Sequence, residues 1–294
     1  MPAGRRATAP RERPDRRRRP DRSEPTERKP RRRSDLVARV LVAIPLALAT
    51  IIFIDVGGIA FSLFMIAAGW ICMYELYQLL ARWRPVAVIG YAALAAAIFA
   101  ARSSGQGGVL GVMVAALPVL LVAVLFRDQP RPTVAIAGTL LGIYWIGLAF
   151  GHVELLRQLP HGKGVLLDVL IGTFVGDTGA YAGGRLFGRR PLAPRISPNK
   201  TIEGLVCGML AAVLAVFIAG LYQTWLTQGK ALLLGLAVAV LGPLGDIFES
   251  VVKRDAGVKD AGSLLGSHGG FLDRLDGALF TVVVAYYIWL SVVH

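Results

Sequence analysis

Between Leu36 and Val293 the chain passes through a succession of apolar runs, each close to the length that crosses a bilayer, parted by polar turns. A helix needs about 20 apolar residues to span the hydrocarbon. Backbone N–H and C=O groups there find no water, so only helices and closed barrels can cross. Runs this long predict helices, at Leu36–Ile54, Ile59–Leu80, Val86–Ala101, Val109–Phe126, Thr133–Phe150, Val165–Gly184, Ile202–Trp225, Ala231–Val252 and Leu275–Val293. The expected fold is all-α, a polytopic membrane protein of about nine transmembrane helices. The composition agrees: 55% hydrophobic, 17% charged and a mean hydropathy of +0.58 exclude an ordinary soluble domain.

Charge is distributed unevenly. Fifteen of the 32 basic residues precede Val40, in a Pro- and Arg-rich stretch that cannot bury apolar surface. Residues 1–35 are therefore expected as a disordered basic tail and residues 36–294 as the membrane domain. The tail reads as a solvated, topology-fixing segment, with attraction to anionic headgroups as its alternative; nucleic-acid binding is not expected. With the tail inside, the loops on its side hold thirteen basic residues and the opposite loops four. By the positive-inside rule the N-terminus is cytoplasmic, in a multi-pass cell-membrane protein of the bacterial inner-membrane type. Cys72 and Cys207 lie in apolar runs and suggest no disulfide framework. His152 and His161 fall in an expected polar loop, His152 to Gly164, and read as solvated. The tryptophans read as interfacial belt residues. Glu75, inside the second run, must face other helices; a hydrogen bond between helices is the expected role, a place in a site wall the alternative.

Two polar stretches lie where charge is costly. The first, TFVGDTGAYAGGRLFGRRPLAPRISPNKTIEG from Thr173 to Gly204, sets Asp177 among Gly176, Thr178 and Gly179. Ser197-Pro-Asn-Lys200-Thr201, with Glu203 behind it, has the form of a helix start. A helix N-terminus beside Lys200 can cradle phosphate. The second stretch, from Gly245 to Asp276, alternates Asp246, Glu249, Asp255, Asp260, Asp273 and Asp276 with Lys253, Arg254, Lys259 and Arg274. On a helix Asp246, Glu249 and Ser250 share a face, as do Asp273 and Asp276. Two helices turning carboxylates towards one cavity would make a hard-oxygen site suited to Mg²⁺, not zinc. His268-Gly269-Gly270 would bring backbone amides to a phosphate, and the four basic side chains would compensate its charge.

Ser250-x-x-Lys253-Arg254-x4-Lys259-Asp260-x-Gly262-x5-His268-Gly269-Gly270-x-x-Asp273-Arg274-x-Asp276 resembles the signature of the phosphatidate cytidylyltransferases (CDP-diacylglycerol synthases). GDTGAYAGGRLFG and ISPNKTIEG are similar to a second block of that family. Two departures are Gly266-Ser267, where Pro-Gly commonly precedes the HGG, and Asn199, where Lys is frequent. The resemblance implies that CTP and phosphatidate give CDP-diacylglycerol and pyrophosphate, among membrane lipids and by a homodimer; the loop asymmetry and the cytoplasmic origin of CTP put the expected site at the cytoplasmic leaflet. For that reaction Mg²⁺ is expected on Asp246 and Asp273, assisted by Asp276 and Asp177, with Lys200, Lys259 and Arg274 neutralising the phosphates. Ser197, Lys253, Arg254 and the HGG turn complete the expected nucleotide contacts. A CTP-dependent lipid kinase and a transporter using Asp177 as an ion site are the alternatives. The fuller HGG-x-x-DRxD pattern weighs against the first, and paired carboxylates in a basic loop against the second.

Overall fold

The computed structural model describes residues 32–258, 261–262 and 269–293, with side chains from residue 44 onward. The tail up to residue 31, and with it Lys259 and His268, lies outside the described residues. The described chain is helical apart from one small hairpin. Helix α1 is Arg32–Val56, α2 Gly58–Leu79, α3 Ala87–Leu125 and α4 Pro132–Gly142, which runs through a π turn, Ile143–Gly147, into α5, Leu148–Gln158. Then come α6 (Gly162–Phe187), the antiparallel strands β1 (Pro191–Ala193) and β2 (Ser197–Thr201), α7 (Ile202–Leu221), α8 (Gln228–Asp255) and α9 (Asp276–Val293).

Among the described residues, seven helical segments are long and apolar enough to cross a membrane, with α4 to α5 counted as one; α1 adds a shorter apolar helix, Ile44–Val56. The third and fourth expected crossings are joined in α3. At 1.5 Å per residue its 39 residues would measure about 58 Å, nearly twice the hydrocarbon thickness. It is broken at Gly105, whose φ of 61° and ψ of −147° nearly repeat those of Gly57 (65°, −152°) between α1 and α2. Only glycine enters this region without a Cβ penalty. Large apolar side chains stay exposed around the outside, among them Leu48, Leu110, Leu121, Leu210 and Val240. A surface of that kind is matched by lipid, and the protein is a multi-pass membrane protein.

Two features of the sequence expectation change. The polar loop after the fifth crossing is largely helix, since α5 continues to Gln158. His152 is consequently buried, not solvated: its ring nitrogens lie 2.8 Å from Leu148 O and 3.1 Å from Tyr287 Oη, which satisfy it inside the bundle. His161 is exposed as expected and stacks on Trp225 at 4.7 Å. Trp145 and Trp289 are core residues, not belt residues, Trp145 packing edge-on against Phe248.

Helices α6 and α7 approach through small residues. A Cβ added to Gly208 would lie 2.7 Å from Ala180 Cβ and 2.8 Å from Gly176 O, so these backbones are nearly in contact. This packing carries Asp177 alongside the segment that ends in Lys200.

Candidate active site

The C-terminal parts of α6 and α8, the hairpin, and the N-terminal parts of α7 and α9 enclose a cavity of about 630 Å³. Asp177 and Arg185 line it from α6, Ser197, Asn199 and Lys200 from β2, Asp246 from α8, and Asp273 and Asp276 from the approach to α9. Thr201 caps α7, its Oγ1 accepting the Gly204 amide at 3.1 Å, and Glu203 accepts the amides of Arg189 and Arg190 at 3.0 and 3.1 Å. The helix start read from the sequence thus pins the hairpin, and with it Lys200, against the cavity.

Asp246 and Glu249 stand three residues apart on α8, on one face. Pro243 just before them removes a backbone donor from the helix. At Gly245 the backbone of Asp276 and Gly277 lies directly against α8, where any side chain would collide with the Asp276 carbonyl. That contact brings the first residue of α9 to the Asp246 face. Asp246, Glu249 and Asp276 each offer a carboxylate oxygen, all within 4.8 Å of one another. Glu249 is 1% exposed and Asp276 7%, and Glu249 Oε1 is buried with no hydrogen-bond partner among the described residues. The Gly277 amide donates to Asp276 Oδ1 at 2.7 Å, as suits an acid in a helix's first turn.

Two lysines border this cluster. Lys200 forms a close ion pair with Asp246. Lys253 lies 2.8 Å from Glu249 Oε2 and 2.8 Å from Asp273 Oδ1, bridging them with little solvent access. Asp273 therefore stands beside the carboxylate cluster, not in it. It also accepts the amides of Gly270 at 2.7 Å and Ala261 at 3.1 Å. Burial alone would raise its pKa, but the Lys253 ammonium and the Gly270 amide outweigh that and hold the carboxyl below its ordinary value.

Of the residues singled out from the sequence, Asp177, Ser197, Lys200, Asp246, Asp273 and Asp276 share the cavity. Arg254 is exposed and donates Nε to Ile196 O at 3.0 Å, so it holds the hairpin. Arg274 sits on the turn between Asp273 and Asp276. Gly269 has a φ of 79°, and the Gly270 amide is committed to Asp273 rather than turned to a ligand. The spacing puts Glu249 on the Asp246 face with an oxygen to offer, while the expected Mg²⁺ set leaves it out. The Asp-x-x-acid spacing it shares with Asp273 and Asp276 is the signal that could have promoted it.

The profile described as "Cytidylyltransferase family" matches residues 37–292. A phosphatidate cytidylyltransferase of Brucella suis is 34% identical over 258 residues, 86% of this chain and 93% of its own. Those of Mycobacterium leprae and Mycobacterium bovis are 44% identical over 147 residues and 36% over 153. These two matches cover 48% and 52% of this chain, and the chain spans about half the length of each mycobacterial relative, 46% and 50%. With the profile matching nearly from end to end, the chain belongs to the cytidylyltransferase family.

Proposed function

We propose that this protein transfers a cytidylyl group from CTP to phosphatidate, forming CDP-diacylglycerol and releasing pyrophosphate. The carrying observation is the convergence of Asp246, Glu249 and Asp276 beside a cavity that Asp246, Asp276 and Lys200 line, in a chain whose Brucella relative bears that activity in its name. In the transfer, a phosphate oxygen of phosphatidate bonds to the α-phosphorus of CTP. The bond from that phosphorus to the bridging oxygen breaks, and pyrophosphate leaves with the electron pair. The attacking phosphate is already anionic at neutral pH, so no strong general base is required. The main barrier is the meeting of two anions.

The residues fit a hard divalent ion. The three acids offer oxygen ligands, and a buried Glu249 oxygen has no hydrogen-bond donor among the described residues. Asp246, Glu249 and Asp276 would hold Mg²⁺, Glu249 taking the place the sequence assigned to Asp273. Bound there, Mg²⁺ would supply Lewis-acid stabilisation to the transferring phosphoryl group and the leaving pyrophosphate. Lys200 exchanges its pairing with Asp246 for a phosphate oxygen. Asp273 and Lys253 keep Glu249 in place, and Asp177 and Ser197 line the approach. The reaction lies on the cytoplasmic side with the N-terminus, on the strength of the thirteen-to-four loop asymmetry.

The test is purified protein in detergent with phosphatidate, Mg²⁺ and CTP labelled at the α-phosphorus. Label should move into lipid as CDP-diacylglycerol with one pyrophosphate released, and EDTA should stop both. Label staying in water as CDP would replace the proposal with the lipid-kinase reading. No CTP consumption would remove both.

A further inference from the structure

The second apolar helix, α2, carries one buried carboxylate that the reaction above does not use. Glu75 is 2% exposed. Its Oε1 accepts the amide of Phe271 at 3.0 Å and its Oε2 that of Leu272 at 2.7 Å, across nearly two hundred residues of sequence. These amides open the 3₁₀ turn Leu272–Arg274, and the first N–H groups of a helical turn have no partner within it. A carboxylate from another helix supplies the missing cap. The packing is close: a Cβ added to Gly270 would lie 2.6 Å from Glu75 Oε2, and one added to Gly262 2.7 Å from Oε1. Both glycines therefore keep the space through which the carboxylate reaches the turn.

What the turn carries makes the cap consequential. Asp273 is its middle residue and Asp276 follows as the first residue of α9. Asp273 holds Lys253, and Lys253 holds Glu249. A displacement of the turn thus reaches two of the three clustered carboxylates, Asp276 along the chain and Glu249 through the Asp273–Lys253 link. We infer that Glu75 is a positioning residue for the carboxylate cluster, fixing from α2 the turn that sets where Asp276 and Glu249 meet Asp246. The role rests on the cytidylyl-transfer reading for its effect on turnover, and on geometry alone for its effect on the cluster.

The experiment uses the full chain in detergent with Glu75→Gln, Gly270→Ala and the double variant. Mg²⁺ alone serves as the probe, read by thermal stabilisation, beside kcat and the CTP KM. Glu75→Gln turns an amide N–H₂ towards a backbone N–H and loosens the turn. Its Mg²⁺ midpoint should rise and its kcat fall by about tenfold or more, the range seen when groups supporting a metal site are lost. The CTP KM should stay within about threefold, since no direct substrate contact is removed. Gly270→Ala should reproduce the pattern, and the double variant should be no worse than the worse single one, because both act on one contact. A folded Glu75→Gln protein with wild-type Mg²⁺ midpoint and kcat would overturn the inference, and so would multiplicative defects in the double variant. If Glu75→Gln does not fold, Glu75→Asp, which withdraws the oxygens by one methylene, is held to the same midpoint: a shift supports the role and none overturns it. A wild type that consumes no CTP refutes the transfer reading while the Mg²⁺ midpoints still judge Glu75. A wild type unaffected by Mg²⁺ overturns the inference itself.

Discussion

Lys253 ties α8 to the turn before α9, and its removal has a calculable cost. Its ammonium lies 2.8 Å from both Glu249 and Asp273, and the three side chains are 12%, 1% and 13% exposed. Solvent screening is weak at such burial. Lys253→Met keeps most of the stem volume and deletes the charge, leaving two carboxylates facing each other. Breaking a buried pair costs about 3–5 kcal/mol. Asp273 keeps its bonds from Gly270 and Ala261, so the low end applies, about 3 kcal/mol. The assay is reversible unfolding in detergent at pH 7 in EDTA, for Lys253→Met, Asp273→Asn and the double variant. The double variant should lose less than the sum, by about 1.5–3 kcal/mol, the worth of one hydrogen bond between charged groups. Costs that simply add, with a coupling under about 0.5 kcal/mol, would show that the bridge contributes nothing and refute the reasoning.

Asp273 also predicts a pH dependence. Its folded pKa lies below the ordinary value, so its stabilisation is complete above the unfolded pKa of about 3.9 and is lost as pH falls through the lower folded value. Unfolding followed from pH 5 downwards should show a shallower acid loss in Asp273→Asn than in wild type; parallel curves would contradict the assignment. Gly208→Val should force α6 and α7 apart, costing about 1–3 kcal/mol as overpacking does, and widen the cavity between Asp177 and Lys200. A variant with wild-type thermal stability and turnover would show that the close approach is dispensable.

Much of this protein is legible in its sequence. Apolar runs of bilayer length leave the backbone no choice but helix, so the succession of crossings and the polar breaks between them follow from hydropathy and length. The cap at Thr201 is equally local, because Thr201–Gly204 carries all the atoms that form it. The spaced motif from Ser250 to Asp276 identifies the family for the same reason: it is written along the chain. The burial of His152 is not legible, because local polarity cannot reveal that Tyr287, 135 residues away, meets its ring in the bundle.

Which acids meet could not be read the same way. Helical spacing shows that Asp246 and Glu249 share a face, and Asp273 and Asp276 another, but not which member of one pair reaches the other. The contact of Gly245 with the start of α9 decides that, setting Asp276 at the cluster and leaving Asp273 to Lys253. Glu75 shows the same limit. Its sequence neighbours mark it only as a costly acid in a membrane helix, and the amides that satisfy it arrive from the far end of the chain. Sequence determines what each segment must be in lipid, because backbone hydrogen bonding and hydropathy act within a segment. Tertiary structure alone decides which charges share a site, because that depends on how closely separate helices pack.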